Sequence, residues 1–539
     1  MIRPHALPRV IAERAQTVKT LLASGVVHAQ RPDKVGRTVL ALHRWGPSPA
    51  TGCIAAAIAR PDEPAVIDET GSVSWAELEA RARALAGALR AEGIGPGSGI
   101  AVLCRNHRGF VEVTLACSLL GATALFMNTM FSGPQLAEVA EREGAEALIY
   151  DQEFAGLLEG VGGGVKRFVA WQDEPGALAD PTLEELIAAG DGAGLAPPPE
   201  PGRYVILTSG TTGAPRGARR KPPEGLSVVA GLLSKIPLRA EGTTVIAAPL
   251  FHSWGFSHLA IGLSLRSTFV LRRRFEPEQA LRAIAEHGAG ALVVVPVMLQ
   301  RILELPAEAR ARYDTSVLRV VAASGSALPG ELATEWMDAF GDNLYNLYGS
   351  TEVAWATIAT PAEMRAAPGT AGRPPLGTAL RLLDEQGLEV PRGQTGRIFV
   401  GNEFVFEGYT GGGGKEEVDG LLATGDVGHL DEAGRLFVDG RDDEMIISGG
   451  ENVFPREVED LLAGNPAVRE VAVVGVDDAE FGQRLRAVVA LQPGAALDED
   501  GVRAYVKANL ASFKQPRDVV FVEALPRNAT GKVLKRELA

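Results

Sequence analysis

Cysteine is nearly absent from this sequence: its 539 residues include three, Cys53, Cys104 and Cys117. An odd number with no metal-ligand spacing excludes a disulfide scaffold and a cysteine-rich zinc site. The thiols are expected to be small buried hydrophobes in a reducing compartment, the cytoplasm. Long apolar runs are missing as well. The most apolar stretch, VTLACSLLGATALFM at Val113–Met127, falls short of the roughly 20 residues a span needs, and Gly121 divides it into a helix and a strand. No segment reads as a signal peptide. Positive charge is scarce overall, with a net charge of −14. That excludes nucleic acid as a bulk partner, because phosphate binding needs a basic face. The exception is residues 1–50, where eight Lys/Arg face two acids (Glu13, Asp33), a balance of +6. Such a segment can lie weakly on an anionic inner membrane face. A helical extension packed on the main domain is the rival reading.

What is present is ordinary globular material, 46% hydrophobic and 22% charged, which excludes disorder. The length predicts two or more domains. SWAELEARARALAGALRAEG opens on a capping box (Ser74, Glu77) and closes at Gly93, predicting a helix between them. Short apolar runs at Gly99–Cys104, Arg203–Leu207, Thr244–Ala248, Ala291–Pro296 and Leu318–Ala322 alternate with helix-length segments. This predicts an α/β fold with parallel-rich sheets covered by helices and loops beyond the strand carboxyl ends as the binding region. Between Gly377 and Val400 the pattern becomes short alternating strands with Gly turns, more like a small β-barrel. Beyond Gly440 a smaller α+β unit follows, with helices at Arg456–Ala463 and Val502–Leu510 and strands at Glu470–Val476 and Arg486–Leu491. The expected domains are a basic extension (1–50), a large domain (51–440) and a small C-terminal one (441–539).

The stretch TSGTTGAPRG, Thr208–Gly217, lies just past one of these strands. Its glycines let backbone amides turn inward and its hydroxyls can donate to phosphate oxygens. It lacks the Gly-Lys-Ser/Thr of a Walker A loop, and a Gly/Thr linker remains the plain alternative. Further along come PLFHSWG (Pro249–Gly255), NLYGSTE (Asn346–Glu352), TGD (Thr424–Asp426), GRDDEMIISGGENVFPREVE (Gly440–Glu459) and PRNATGK (Pro526–Lys532). In this order the six motifs resemble the adenylate-forming superfamily, which includes acyl-CoA synthetases, luciferases and peptide-synthetase adenylation domains. The resemblance runs from about residue 50 to the end.

The resemblance implies an enzyme that uses ATP, Mg²⁺ and CoA to activate a carboxylic acid as acyl-AMP and pass it to the thiol. Thr208, Ser209, Gly210, Thr211, Thr212, Gly213 and Arg216 would hold the β- and γ-phosphates. Many relatives have Lys where Arg216 stands; charge is kept, but a rigid fork replaces a point charge. Gly325, Ser326, Ala327 and Asn346 would form part of the nucleotide wall. Tyr348 and Gly349 would lie along adenine, Thr351 would reach the α-phosphate, and Glu352 would bind Mg²⁺. Asp426 suits a ribose diol, since a carboxylate accepts two hydroxyl hydrogen bonds, and Arg441 would add a donor. Lys532 would neutralise charge as acid and α-phosphate meet. His252 would sit beside the acid, where imidazole could orient it or exchange protons; a buried structural histidine is the alternative. The small domain would pivot at Asp443, withdraw Lys532 and bring Ser448, Gly449 and Gly450 to the thiol path.

Small residues Ala322, Ala323 and Ser324 leave room for the acid, and Val295, Val297, Met298 and Ile302 would suit an apolar tunnel or a core. The sequence is most similar to bacterial fatty-acyl-CoA synthetases, so a medium- or long-chain fatty acid is expected. An aromatic-acid CoA ligase, an acyl-AMP ligase loading a carrier protein and a degenerate nucleotide-binding regulator are the alternatives.

Overall fold

The computed structural model describes residues 7–208, 216–220, 225–404, 406–448, 451–478, 482–529 and 531–539. The chain forms two compact units. The first comprises residues 1–294, 304–322 and 403–414, and the second 295–303, 323–402 and 415–539. The expected boundary at residue 440 therefore falls inside the second unit, at the end of the strand Leu436–Arg441.

The first unit begins with three helices, Leu7–Ser24, Pro32–Trp45 and Pro49–Ala59. Leu21, Ala41 and Trp45 are buried. Ala240 N donates to Ser24 O at 2.8 Å, and the Arg266 guanidinium donates to Gly25 O at 2.8 Å. Residues 7–59 are thus largely helical and packed within their unit. The helix Trp75–Ala91 starts where its capping box predicts: Ser74 Oγ accepts from Glu77 N at 3.2 Å, and Glu77 Oε2 accepts from Ser74 N at 2.7 Å. A Ser cap of this kind contributes about 1 kcal/mol. The apolar run divides at Gly121, with a helix at Arg108–Leu120 and a strand at Thr123–Phe126.

Seven strands make one sheet, in the order Phe406–Tyr409, Arg216–Arg220, Arg203–Thr208, Thr123–Phe126, Gly99–Leu103, Ala145–Asp151 and Lys166–Trp171. The last five pair in parallel; the central Gly99–Leu103 is buried on both faces and reads as an unbroken apolar run, while the edge strand Lys166–Trp171 is buried only at its centre. Ala291–Val294, Thr243–Ile246, Thr268–Leu271 and Pro64–Asp68 pair in parallel in a second sheet, which Gly71–Ser74 extends antiparallel. The strand expected to reach Pro296 stops at Val294, because Pro296 opens the helix Pro296–Leu303. Proline lacks the N–H a strand ladder needs and suits a first helical turn.

In the second unit Ala379–Leu383, Gly396–Gly401, Leu421–Leu430, Leu436–Arg441 and Glu417–Val418 form a five-stranded antiparallel sheet over a core of Leu382, Ile398, Val400 and Leu436. This is the segment of short alternating strands. The C-terminal part has its own five strands: Glu451–Val453, Ile446–Ser448, Gly482–Leu491, Val468–Asp478 and Asp518–Phe521. The helices Pro455–Ala463 and Glu499–Asn509 bury Val458, Leu462, Val502 and Val506 in one cluster with Val473 and Val489 of its strands. A fully buried Val or Leu contributes about 1.5–3 kcal/mol, so this cluster is a main source of stability for the C-terminal part. Val295, Met298 and Ile302 are also core residues, at 2%, 8% and 0% exposure, and packing accounts for them without a tunnel.

Candidate active site

The first unit contributes a hairpin. Arg203–Thr208 and Arg216–Arg220 pair antiparallel, with Thr208 opposite Arg216. Ser209, Gly210, Thr211, Thr212 and Gly213 lie between them, outside the described residues, and the expected phosphate contacts of this loop fall there. Arg216 is held at the base of the loop, its guanidinium 5.9 Å from the centre of the Tyr409 ring. The neighbouring residue is anchored: Gly217 N donates to Thr410 Oγ1 at 2.9 Å, and Thr410 N to Gly217 O at 2.8 Å.

His252 precedes the helix Ser253–Leu265 but makes no side-chain cap bond. Its ring packs on Phe251, centroids 4.4 Å apart, and its buried Nε2 has no hydrogen-bond partner among the described residues. Burial pushes its pKa down to about 4. The imidazole is therefore neutral at neutral pH, and the expected proton exchange near pH 7 gives way to an uncharged group with one nitrogen left for a ligand.

Several of the candidate nucleotide residues lie within the second unit. Ala379–Arg441 forms the sheet that brings Asp426 opposite Arg441 on neighbouring strands. Asp426 Oδ1 lies 3.7 Å from Arg441 Nη1, and Oδ2 accepts from the Tyr348 hydroxyl at 2.5 Å. Burial raises the Asp426 pKa; the Tyr348 bond and the charges of Arg441, Lys532 and Lys415 act against that rise. Burial, with the Asp426 charge, holds the Tyr348 phenol well above its usual range, so it remains a donor. Tyr348, expected along adenine, is thus also the residue that orients Asp426. Asn346, on the same strand Leu344–Tyr348, is 8% exposed, and its Oδ1 has no partner among the described residues. An orphaned amide acceptor is costly unless a ligand donor meets it, and an exocyclic amine of a purine is such a donor.

Gly349 through Glu352 turn directly off this strand. Gly349 has no room for a side chain: a Cβ would lie 2.2 Å from Ala354 O. Ser350 Oγ accepts from Glu352 N at 3.2 Å and Val353 N at 3.4 Å. Glu352 is 8% exposed, while Thr351 beside it is half-buried. One buried carboxylate among hydroxyls is the hard-oxygen set that Mg²⁺ takes together with substrate phosphates, so these residues fit the metal. Gly325, Ser326 and Ala327 occupy the turn between Val320–Ala323 and the helix Gly330–Phe340.

Lys532 follows Gly531, whose φ is +77° and whose Cβ, if present, would meet Val297 Cγ1 at 2.6 Å. Only glycine satisfies both conditions cheaply. Asn528 closes the turn, accepting from Lys532 N at 2.9 Å through Oδ1 and donating its own N–H to Lys532 O at 2.9 Å. The result places the Lys532 charge where Asp426 feels it. Asp443 lies in the 3₁₀ turn Asp442–Glu444, after the strand ending at Arg441. Ser448 pairs with Glu451, and Gly449 and Gly450 between them lie outside the described residues.

Four residues hold places in the structure for which the sequence suggested no role. Thr424 Oγ1 accepts from Asp426 N at 3.0 Å and donates to Ile398 O at 3.1 Å, fixing the TGD turn. Lys415 Nζ donates to Thr424 O at 3.4 Å; its position directly after the Gly411–Gly414 run gave no signal. Asn402 Nδ2 donates to Val353 O at 2.7 Å and Trp355 O at 3.0 Å, clamping the carbonyls on both sides of Ala354. Ala354 is left-handed at φ 60°, a strained state for alanine that the clamp maintains. His258 is a second buried imidazole, its Nδ1 3.1 Å from Trp254 O and its Nε2 without a partner among the described residues.

Comparison with known proteins gives a consistent picture. Residues 54–410 match the pattern of the AMP-binding enzyme family, and residues 457–532 that of the AMP-binding enzyme C-terminal domain. A feruloyl-CoA synthase of an Amycolatopsis species is 33% identical over 87% of this chain and 93% of its own length. An indoleacetate–CoA ligase of Aromatoleum aromaticum is 32% identical over 86% of this chain and 92% of its own. Among solved structures, the o-succinylbenzoate CoA synthetase of Bacillus subtilis, in complex with its acyl-adenylate intermediate, superimposes with a TM-score of 0.76. It is 27% identical, over 90% of this chain and 97% of that one.

Proposed function

This chain belongs to the AMP-binding enzyme family, and we propose that the acid it activates as an AMP-forming CoA ligase is aromatic or otherwise ring-bearing. The observation that carries the choice of acid is the similarity, at 32–33% identity over most of both chains, to ligases named for ferulic and indoleacetic acids. The fatty acid expected from the sequence becomes the competing substrate. No helix among the described residues is long and apolar enough to cross a membrane.

In this reading the orphaned Asn346 Oδ1 accepts from the adenine amine, with Gly325, Ser326, Ala327 and Gly349 as the wall beside it. Asp426 accepts both ribose hydroxyls while Tyr348 and Arg441 hold its oxygens in place. Thr208, Ser209, Gly210, Thr211, Thr212, Gly213 and Arg216 hold the outgoing pyrophosphate, and Thr351 donates to the α-phosphate. Glu352 would hold Mg²⁺, which neutralises phosphate charge when bound. The carboxylate of the acid attacks the α-phosphorus and pyrophosphate leaves, so the chain's task is positioning and charge neutralisation. Lys532 supplies that neutralisation where the two anions meet. His252 Nε2, neutral and unpartnered, orients the acid without adding charge. Residues 441–539 then pivot at Asp443, and Ser448, Gly449 and Gly450 border the route by which the CoA thiolate reaches the acyl carbon and expels AMP.

Acid-dependent ATP–pyrophosphate exchange with ferulate, indole-3-acetate, benzoate, octanoate and palmitate, followed by CoA capture, tests this. Exchange strongest with an aromatic acid and complete conversion to thioester is the expected result. Preference for palmitate restores the fatty-acid reading. Adenylate without thioester points to a carrier protein as acceptor, and no exchange with any acid to a nucleotide-binding regulator.

A further inference from the structure

The three N-terminal helices carry a surface that the ligase reaction does not use. Half of the exposed large hydrophobic side chains among the described residues fall between Val18 and Leu42, so the apolar exposure is concentrated rather than scattered. On Leu7–Ser24, Thr20, Leu21 and Ser24 face inward. At 100° per residue, Ala15, Val18 and Leu22 form a stripe on the outward arc, with Arg14 on one margin and Lys19 on the other. Val18 and Leu22 are each 56% exposed, and both cations are exposed. On Pro32–Trp45 the inward face is Ala41 and Trp45, while Val35, Val39 and Leu42 share one outward stripe at 44%, 59% and 47% exposure. Arg37 and Arg44 are exposed as well, but on the opposite side of the helix from that stripe, so the stripe flanked by cations is the one on Leu7–Ser24.

We propose that these two helices dock the enzyme on an anionic lipid surface, with the apolar stripes at the acyl boundary and Arg14 and Lys19 of the first helix on the headgroups. Charge decides between the occupants an apolar stripe could take. Residues 1–50 carry +6 on a chain whose net charge is −14, so the basic face is local and its complement must be anionic. Apolar stripes bordered by Lys and Arg are the signature of a helix lying in a membrane interface, and each cation near such a surface adds about 1 kcal/mol of attraction, or about fivefold in binding. The packing of Trp45, Ala41 and Leu21 on the first unit means that docking needs no unfolding of the extension.

The test is sedimentation of the full chain with phosphatidylcholine vesicles, with and without phosphatidylglycerol, across a salt series. Binding is expected only with phosphatidylglycerol and should weaken with salt. Arg14→Gln with Lys19→Gln should weaken it by roughly 25-fold, and Val18→Ser with Leu22→Ser should abolish it. These four side chains are exposed, so acid-dependent pyrophosphate exchange and the melting temperature should not change, which confirms that the variants fold. Equal binding to neutral vesicles, or no binding to either, overturns the proposal. So does a concentration-dependent doubling of mass that the serine variant abolishes, which would make the surface a contact between two copies of the chain.

Discussion

Replacing Tyr348 by phenylalanine removes one hydroxyl and almost no volume, and it isolates what that hydroxyl does. It donates to Asp426 Oδ2, the two oxygens 2.5 Å apart, and lies 3.3 Å from Thr424 Oγ1. Asp426 is partly buried, its side chain 15% exposed, and that burial favours its neutral form, which Tyr348 and the cations Arg441, Lys532 and Lys415 oppose. A hydrogen bond to a charged group contributes about 1.5–3 kcal/mol. The Phe variant should therefore lose roughly 10- to 150-fold in KM for ATP, with a smaller change in kcat. The pH dependence gives a second readout. The folded-state pKa of Asp426 is already raised, and loss of Tyr348 raises it further, so the acid limb of pyrophosphate exchange should move to higher pH. The sign of the stability effect is opposite. A carboxylate with a raised folded-state pKa costs stability once pH exceeds its unfolded pKa, fully so above the folded one. Asp426→Asn should thus melt no lower than the parent at neutral pH while binding ATP more weakly. Exchange kinetics against ATP concentration and pH, beside thermal melts, measure all of this. If Tyr348→Phe leaves both KM for ATP and the acid limb unchanged, Asp426 does not hold the nucleotide through this contact.

Lys532→Ala should slow acid-dependent pyrophosphate exchange by roughly 10²- to 10³-fold yet leave thioester formation from preformed acyl-AMP and CoA intact; equal slowing of both steps contradicts a lysine withdrawn by domain rotation. His258, 2% exposed with Nε2 unpartnered, has its pKa pushed from 6.5 to about 4 by burial. Its folded-state pKa lies below the unfolded one, so the fold loses up to about 3 kcal/mol as pH falls from 6.5 to 4. Denaturant melts of His258→Gln should show a flatter acid limb, and an unchanged limb would assign the acid sensitivity elsewhere.

Local signals fixed much of this protein. The Ser74–Glu77 capping box, the break at Gly121, the apolar strands and Pro455 at a first helical turn each act through a few neighbouring residues, so they are readable in order along the chain. The candidate residues Asn346, Tyr348, Asp426, Arg441 and Lys532 were named from the resemblance carried by the ordered motifs. What they touch was not. That Tyr348 holds Asp426, that Asn402 clamps Ala354 in a left-handed state, and that Lys415 sits at the TGD turn depend on segments up to 78 residues apart. The end of the strand before Pro296 depended on which way proline served. The charge state of His252 was illegible for a related reason: a side chain's pKa is set by the water it loses, and burial is a property of the folded neighbourhood. The sequence alone determined the family and named the candidate reacting groups, because both rest on residue type in order. The tertiary structure alone decided which tyrosine and cations surround Asp426, which imidazole stays neutral and which loop is strained, because those follow from solvent exclusion and from contacts between distant segments.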